Sequence, residues 1–370
     1  MRLLITGSKG FIGKNLLVRL SEMREFSVST FDRGESIEAL RQKVNAADAV
    51  VHLAGVNRPV NTDDYVTGNS TLTELICQAI KYSQRSVALL LTSSVQASLN
   101  NPYGNSKKQA EDAAVRLAQE TGNPLSIFRL PNVFGKWCKP NYNSVVATFC
   151  HNIARQLPIQ INDPSAVLNL VYIDDVVSAL IDTLVSPPQE IDWPVIQAVY
   201  QIKLGELAEQ ISRFGQDRKQ LLAERTGTGL TRALYSTFIS YLPVDNFSYL
   251  IPRHEDQRGV FVEMLKTRDS GQFSFFTARP GVTRGGHYHH TKTEKFLTIK
   301  GSARFGFKHI LTNESFELYC NDQLYQIVET IPGWAHDITN IGDEDLIVML
   351  WTNEVYDPNK PDTISMRVSK

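Results

Sequence analysis

No excess of charge of either sign marks this chain: 38 Lys and Arg stand against 39 Asp and Glu, a net charge of -1 over 370 residues. Broad electrostatic attraction to nucleic acid or to an anionic membrane is thereby excluded, because such binding needs a basic surface. Any anionic ligand has to be held locally, by loops, helix N-termini and a few cations. Cysteine is scarce too. Cys77, Cys138, Cys150 and Cys320 lie far apart, in neither a metal-ligand nor a redox spacing, which reads as reduced and mostly buried thiols of a cytoplasmic protein. No apolar run approaches the roughly 18 residues that a membrane span requires. The opening Met1-Arg-Leu-Leu-Ile-Thr6 runs straight into a glycine loop, so a buried strand is expected there rather than a signal peptide. Internal repeats and low-complexity tracts are lacking. What is present is an ordinary globular composition, 42% hydrophobic and 21% charged, in a length that allows two or three domains of about 150 residues.

Over the first two-thirds, apolar strand candidates (Arg2–Thr6, Ser27–Phe31, Ala49–Leu53, Val87–Leu91, Leu125–Leu130) alternate with helical stretches such as Gly13–Arg24, Thr71–Tyr82 and Lys107–Thr121. That alternation predicts a doubly wound parallel sheet with right-handed crossovers. The first turn reads Gly7-Ser-Lys9-Gly10-Phe11-Ile12-Gly13. Glycines between a strand and a helix let the backbone approach a pyrophosphate at the positive end of that helix, so a dinucleotide is the expected ligand. The second strand ends at Asp32-Arg33. The acid suits the ribose hydroxyl of NAD and the Arg the 2′-phosphate of NADP. With Lys9 as a second cation, NADP(H) is the cofactor expected.

Chemistry is concentrated at Thr92-Ser93-Ser94, closing a strand, and at Tyr103-Gly-Asn-Ser-Lys107. Tyr103 and Lys107, four apart, share a helix face. An ammonium there is expected to lower the phenol pKa, so that Tyr103 handles the proton accompanying hydride transfer while a serine holds the carbonyl oxygen. These residues resemble the extended short-chain dehydrogenases/reductases acting on nucleotide sugars, over residues 1 to about 243. Further matches are Leu53-Ala54-Gly55, Arg129-Leu-Pro-Asn132-Val-Phe-Gly135 and Val171-Tyr-Ile-Asp174-Asp175-Val. The resemblance implies cofactor contacts at the glycine loop, Asp32, Arg33, Leu53, Ala54, Gly55, Tyr103 and Lys107, and a sugar-nucleotide contact at Asn132. It selects Ser94 as the catalytic hydroxyl by alignment with the family's third hydroxyl, with Ser93 as the alternative. Only eight residues separate Ser94 from Tyr103, fewer than is usual in this branch.

After Gly205–Phe214 the alternation fades, and a boundary is placed near Pro243. Beyond Phe247 come short strands with turn signals: Val260–Leu265, Gln272–Thr277, Lys295–Ile299, Ala303–Lys308, Ser315–Tyr319, Tyr325–Val328 and Leu346–Trp351. An all-β barrel or jelly roll is expected over 244–370. Gly281-Val-Thr-Arg-Gly-Gly-His287-Tyr-His289-His-Thr-Lys-Thr-Glu294 places two histidines one apart, which on a strand project to one side. With His336 the set is three imidazoles and one carboxylate, donors for a divalent first-row metal, Zn²⁺ first, with room for a water or substrate oxygen. The spacing up to Gly301 fits the first cupin motif at every fixed position. Gly333-Trp-Ala-His336-Asp-Ile-Thr-Asn340 fits the second in part, its proline displaced to Pro332 and its upstream glycine missing. Asp256-Gln-Arg258-Gly259-Val-Phe261-Val-Glu263 is similar to a strand of the nucleotide-sugar 3,5-epimerases, where the Arg helps to hold substrate phosphate.

The order reductase then cupin, with residues 134–149 and His287 to Phe296, resembles the bifunctional CapF-type enzymes of bacterial capsule and O-antigen synthesis, over essentially the whole chain. The resemblance implies a UDP-sugar substrate: epimerisation at C3 of a UDP-2-acetamido-2,6-dideoxy-4-hexulose by the cupin, then reduction at C4 with NADPH. Tyr288, His290, Lys292 and Lys295 are the candidate proton carriers. A homodimer or larger homo-oligomer is expected by analogy with cupins. A nearer alternative is a reductase for a dTDP-4-keto-rhamnose type of sugar, its cupin serving binding or oligomerisation. A cofactor-sensing regulator would lack the Tyr103/Lys107 pair, and a cupin oxygenase would consume O₂.

Overall fold

The computed structural model describes residues 1–59, 61, 63–251, 253–256, 259–262, 266–267, 271–354 and 359–368. The chain divides into two compact units, Met1–Ser144 with Val167–Ile202, and Val145–Ala166 with Lys203–Lys370.

The first unit opens with β1 (Arg2–Thr6), α1 (Phe11–Ser21), β2 (Ser27–Phe31), α2 (Ile37–Ala46) and β3 (Ala49–His52). A short α3 (Asp63–Tyr65) runs through a π-helical turn at Val66–Thr71 into α4 (Leu72–Ser83). Then follow β4 (Ala88–Ser94), α5 (Pro102–Thr121), β5 (Leu125–Leu130) and β6 (Asn132–Phe134). After α6 (Val145–Ala154), which belongs to the second unit, the chain returns through β7 (Val167–Tyr172), α7 (Ile173–Val185), β8 (Ile191–Asp192) and β9 (Val199–Lys203). Six strands pair in parallel in the order β2-β1-β3-β4-β5-β8. The order reverses between β1 and β3, where a crevice opens at the strands' carboxyl ends. All seven residues of β4 are buried, as a strand covered on both faces requires. Leu4, Val50, Leu89, Leu91 and Ile127 of the sheet pack with Leu40, Val44, Ile76, Ile80 and Leu117 of the helices.

Helix α5 begins five residues before the expected Lys107. Asn101 accepts a hydrogen bond from Gly104 N at 2.8 Å, and Pro102, which has no N–H to lose, takes the first helical position. This cap puts Tyr103 in the first turn, directly after β4.

The second unit places α8 (Leu204–Gln220), β10 (Leu222–Ala223) and α9 (Gly229–Ser240) ahead of β11 (Ser248–Leu250), β12 (Arg253–Asp256), β13 (Gly259–Val262) and β14 (Lys266–Thr267). It continues through β15 (Gln272–Ala278), β16 (Thr283–Tyr288), β17 (Glu294–Lys300), β18 (Ser302–His309) and β19 (Ser315–Asn321). The last strands are β20 (Gln326–Glu329), β21 (Trp334–Asn340), β22 (Leu346–Thr352) and β23 (Ile364–Ser365). Two five-stranded sheets result, β11-β20-β17-β22-β15 and β19-β18-β21-β16-β23. Their inner faces meet where Phe296 of β17 lies against Phe305 of β18, ring centroids 5.8 Å apart. Val328 and Val348 are buried on the same face as Phe296, whereas Ile327 packs on the other face with Leu221, Ile251 and Leu297. The α/β plus all-β architecture expected from the sequence is thus the one formed. Among the described residues no helix is long and apolar enough to cross a membrane.

Alternation along β17 sends Lys295 to the face opposite Glu294. There it is buried in an ion pair with Glu329, its cross-strand neighbour. Arg218 of α8 reaches the second carboxylate oxygen of Glu329 at 2.8 Å. The Tyr249 ring lies against both cations, 4.8 Å from Arg218 and 5.5 Å from Lys295. Glu329 therefore ties α8 to the sheet, and removing its charge strands two buried cations. Glu329→Gln is expected to destabilise the second unit by about 3–5 kcal/mol, read as a lower midpoint in chemical denaturation.

Candidate functional site

The glycine loop is built by backbone proximity. Gly7 has φ +71, and a Cβ there would lie 2.6 Å from Ala54 N. A Cβ on Gly13 would lie 2.4 Å from Gly7 O, so the loop and the first turn of α1 close only over glycine. No side chain caps α1, whose first N–H groups are left for a ligand. Ser8 Oγ donates to Asp32 Oδ2 at 2.6 Å, joining the loop to the end of β2. Lys9 and Arg33 are exposed beside them, and Phe11 and Ile12 start the helix. Leu53 N and Ala54 N hydrogen-bond to Thr6 O and Thr6 Oγ1, at 3.2 and 3.3 Å, which brings the Leu53-Ala54-Gly55 turn beside the loop.

Ser94 and Tyr103 meet beyond the end of β4, and Lys107 reaches the same strand at Thr92. The Ser94 hydroxyl hydrogen-bonds the Tyr103 phenol, whereas Ser93 Oγ donates to Glu111 at 2.6 Å, pointing into the packed interior. Glu111 is fully buried and grips Arg129 through two hydrogen bonds of 2.9 and 2.6 Å. Lys107 Nζ donates to Thr92 O at 3.1 Å and lies close to Gly55, where a Cβ would stand 3.2 Å away. Burial pushes the Lys107 ammonium down to about 8, against the upward pull of Glu111. Tyr103 departs from expectation: burial raises its pKa, opposed by the Ser94 hydrogen bond, so the phenol keeps its proton at neutral pH. A protonated phenol is an acid positioned to donate. Tyr65, whose ring lies 5.7 Å from that of Tyr103, was not legible beforehand, because it sits on a short helical turn without a motif. Asn132, exposed at the start of β6, lies two residues beyond Leu130, the strand partner of Ser94.

In the second unit His287, His289, Glu294 and His336 each offer one ligand atom, and these atoms all lie within 4.8 Å of one another. His287 and His336 face each other across β16 and β21, ring centroids 4.6 Å apart. A bulge at Gly285 and Gly286, both with positive φ, sets that register. The two-residue alternation expected for His287 and His289 does not hold, since β16 ends at Tyr288 and His289 is delivered by the following loop. Burial, then the neighbouring His336 and His289, bring His287 down to about 3; burial likewise lowers His336. These two imidazoles are neutral, as metal ligation requires. Burial acts to raise the Glu294 pKa, yet His289 and His336 hold it well below the usual range.

The donor set fits a divalent first-row cation. His289 Nδ1 bonds to the carbonyl of Asp362; a carbonyl only accepts, so Nδ1 carries a hydrogen and Nε2 is the nitrogen turned to the cluster. His289 Nε2 lies 3.1 Å from Glu294 Oε2, with His336 Nε2 3.3 Å from the same oxygen. His336 Nδ1 is buried without a hydrogen-bond partner among the described residues. Of the candidate proton carriers, Lys292 Nζ reaches Glu294 Oε1 at 2.9 Å, and Tyr288 and His290 are buried with their rings 5.6 Å apart. Lys295 faces away, toward Glu329. Arg258 lies outside the described residues.

A dinucleotide-binding sheet bearing a Ser/Tyr/Lys constellation, followed by a β-barrel with a four-donor cluster, defines a reductase-type enzyme joined to a cupin. Residues 3–190 match the NAD dependent epimerase/dehydratase family, and residues 254–364 match the polysaccharide biosynthesis C-terminal domain. The UDP-2-acetamido-2,6-beta-L-arabino-hexul-4-ose reductase of Pseudomonas aeruginosa is 54% identical over 370 residues, the full length of both chains. The crystal structure of the capsular polysaccharide assembling protein CapF from Staphylococcus aureus covers 100% of both chains at 40% identity and a TM-score of 0.68. A UDP-glucuronic acid 4-epimerase from Bacillus cereus shares the fold of the first part, with 19% identity and a TM-score of 0.52 over 58% of this chain and 83% of its own. The chain belongs to the NAD dependent epimerase/dehydratase family, and within it to the CapF-type enzymes that carry a C-terminal cupin.

A reaction that draws on the Lys107 ammonium would carry the titration of that group. Lys107 is charged below its pKa of about 8 and neutral above it. In steady-state kinetics across the neutral and alkaline range, kcat/KM is expected to be level below that value and to fall above it. A profile level through that value would place Lys107 outside the reaction.

Proposed function

We propose that the chain is a bifunctional nucleotide-sugar enzyme, with residues 1–243 supplying a reductase and 244–370 a metal-dependent epimerase. Its substrate is a UDP-2-acetamido-2,6-dideoxy-4-hexulose. The cupin inverts C3, and the first part then reduces the C4 ketone with NADPH. The product is a UDP-2-acetamido-2,6-dideoxy-L-talose on the route to UDP-N-acetyl-L-fucosamine. One observation carries this reading: a single chain holds two separate constellations, Ser94/Tyr103/Lys107 and His287/His289/Glu294/His336, each suited to one half of that chemistry. The 54% identical Pseudomonas aeruginosa relative, a keto-sugar reductase, supports the same substrate class.

In the reduction, Ser94 holds the C4 oxygen and Tyr103 donates a proton to it, while Lys107 supplies positive charge beneath the phenol. A dinucleotide held by its pyrophosphate at Gly7, Gly10 and Gly13 would supply the hydride. Lys9 and Arg33, exposed where the adenosine ribose lies, support NADPH over NADH. Asn132 is the contact for the sugar nucleotide, and Arg258 is proposed for its phosphate. In the epimerisation, the C3–H is acidified by the adjacent ketone, and removal of the proton places negative charge on the ketone oxygen. A divalent cation, Zn²⁺ by its donor set, supplies the charge that stabilises such an oxyanion. Lys292, 2.9 Å from Glu294, places a cation of this chain at the cluster. Phe273 and Phe275, exposed on the edge strand β15, support assembly into a homodimer or larger homo-oligomer.

NMR of the enzyme with this 4-keto sugar and NADPH in D₂O separates the two steps. The native chain is expected to place deuterium at C3 and an alcohol at C4. Tyr103→Phe should reduce C4 turnover by a factor of about 10²–10⁴, the usual range for a general acid, and leave C3 exchange intact. His336→Ala should do the converse, and C3 exchange surviving that change would remove the metal from the epimerisation. Reduction by the native chain without C3 exchange would leave a keto-sugar reductase whose cupin serves another purpose.

A further inference from the structure

The turn from His289 to Glu294 carries two of the four candidate ligands, and the backbone N–H groups from His290 to Glu294 are all engaged. His290 N, Thr291 N and Lys292 N donate to the carboxylate of one residue, Asp362, at 2.8, 2.7 and 2.7 Å. The Thr291 hydroxyl adds a fourth hydrogen bond to Asp362 Oδ2 at 3.0 Å. Thr293 N donates to Asn353 at 3.0 Å, and Glu294 N to Thr330 Oγ1 at 2.9 Å. The main-chain carbonyl of Asp362 takes the Nδ1–H of His289, so one residue fixes both the loop and the tautomer of a ligand it carries.

The segment is anchored on either side. Behind it, β23 pairs with β16, Ser365 opposite His287 and Ile364 opposite Tyr288, and Met366 N donates to Gly286 O at 2.8 Å. In front, α9 holds Thr291: Ser236 Oγ donates to its carbonyl at 2.8 Å, and Arg232 donates to its hydroxyl while pairing with Glu354 at 2.9 Å. A carboxylate suits this position because it accepts in every direction. An amide would turn a donor toward N–H groups that have no other acceptor.

We propose that Asp362 is a positioning residue of the metal centre: the strap from Asp362 to Met366 sets the aim of His289 and the reach of Glu294, and thereby the affinity for the cation. This rests on His287, His289, Glu294 and His336 being a metal site. Outer partners of ligating histidines generally change metal affinity by a factor of about 10–100, so a loss of that size is expected.

Metal-free protein, native and with Asp362→Asn or Asp362→Ala, is titrated with Zn²⁺ against a chromophoric chelator and with Co²⁺ by visible absorption. NADPH binding and the melting temperature of the metal-free protein are read alongside. The expected result is a roughly tenfold or greater loss of Zn²⁺ affinity with a changed Co²⁺ spectrum, NADPH binding staying at its native value and metal-free melting falling only slightly. Native affinity and spectrum in both variants would overturn the proposal. So would a fall in metal-free melting temperature and NADPH binding that parallels the metal loss, which would make Asp362 a residue of general stability. If the native chain takes up neither ion, the metal-site reading itself fails, and the proposal with it.

Discussion

A carboxylate cannot be buried among imidazoles in an apolar barrel unless its charge is met, because desolvation of an isolated anion is prohibitive. Glu294 stands under that constraint, and much of the second unit answers it. His289 and His336 approach the same oxygen, Lys292 takes the other, and a cation at the centre would meet the remainder. The glycine bulge in β16 sets His287 against His336, and the C-terminal strand returns to hold the turn between the ligands. Alternation along β17 then sends Lys295 outward, where a second buried charge needs its own answer and finds it in Glu329, which Arg218 shares. One strand thus carries two adjacent charged residues on opposite faces, each neutralised by a different set of elements.

The first unit solves a related problem at smaller scale. Lys107 is buried to reach the site, and burial costs it basicity. The carbonyl of Thr92 and the more distant Glu111 keep the ammonium in place, and Gly55 leaves the room it occupies. Glu111 has a double role, since its hydrogen bond to Ser93 and its pairing with Arg129 also fix the end of β4 on which Ser94 stands. The capped start of α5 does the rest, bringing Tyr103 back over that strand end within a few residues of leaving it.

Composition changes at Pro243, where helices give way to strands. Packing follows a different line. Helices α6, α8 and α9 are grouped with the barrel: α8 reaches Glu329 of β20 through Arg218, and α9 reaches Thr291, in the turn between two candidate ligands, through Ser236 and Arg232. The helices that continue the reductase pattern in the sequence are, in packing terms, part of the cupin unit.

Local rules were enough for much of this protein. The period of the apolar residues fixes the parallel sheet, since a strand covered on both faces must be apolar throughout. Glycine at Gly7 and Gly13 is demanded by contacts that admit no Cβ, so the glycine loop was legible as spacing alone. The four residues of the candidate metal cluster were legible for the same reason, their residue types being few and their intervals short, apart from His336. Other features depend on partners far away along the chain. Whether Ser93 or Ser94 faces Tyr103 turns on Glu111; whether Lys295 points to the metal turns on Glu329; and the Tyr103 phenol rises because of how deeply it is buried. His289 reaches the cluster through a turn held by Asp362, 73 residues further on, not through strand alternation. Spacing specifies which groups a segment can offer, but direction, burial and charge belong to the surroundings, and these exist only when the chain is folded.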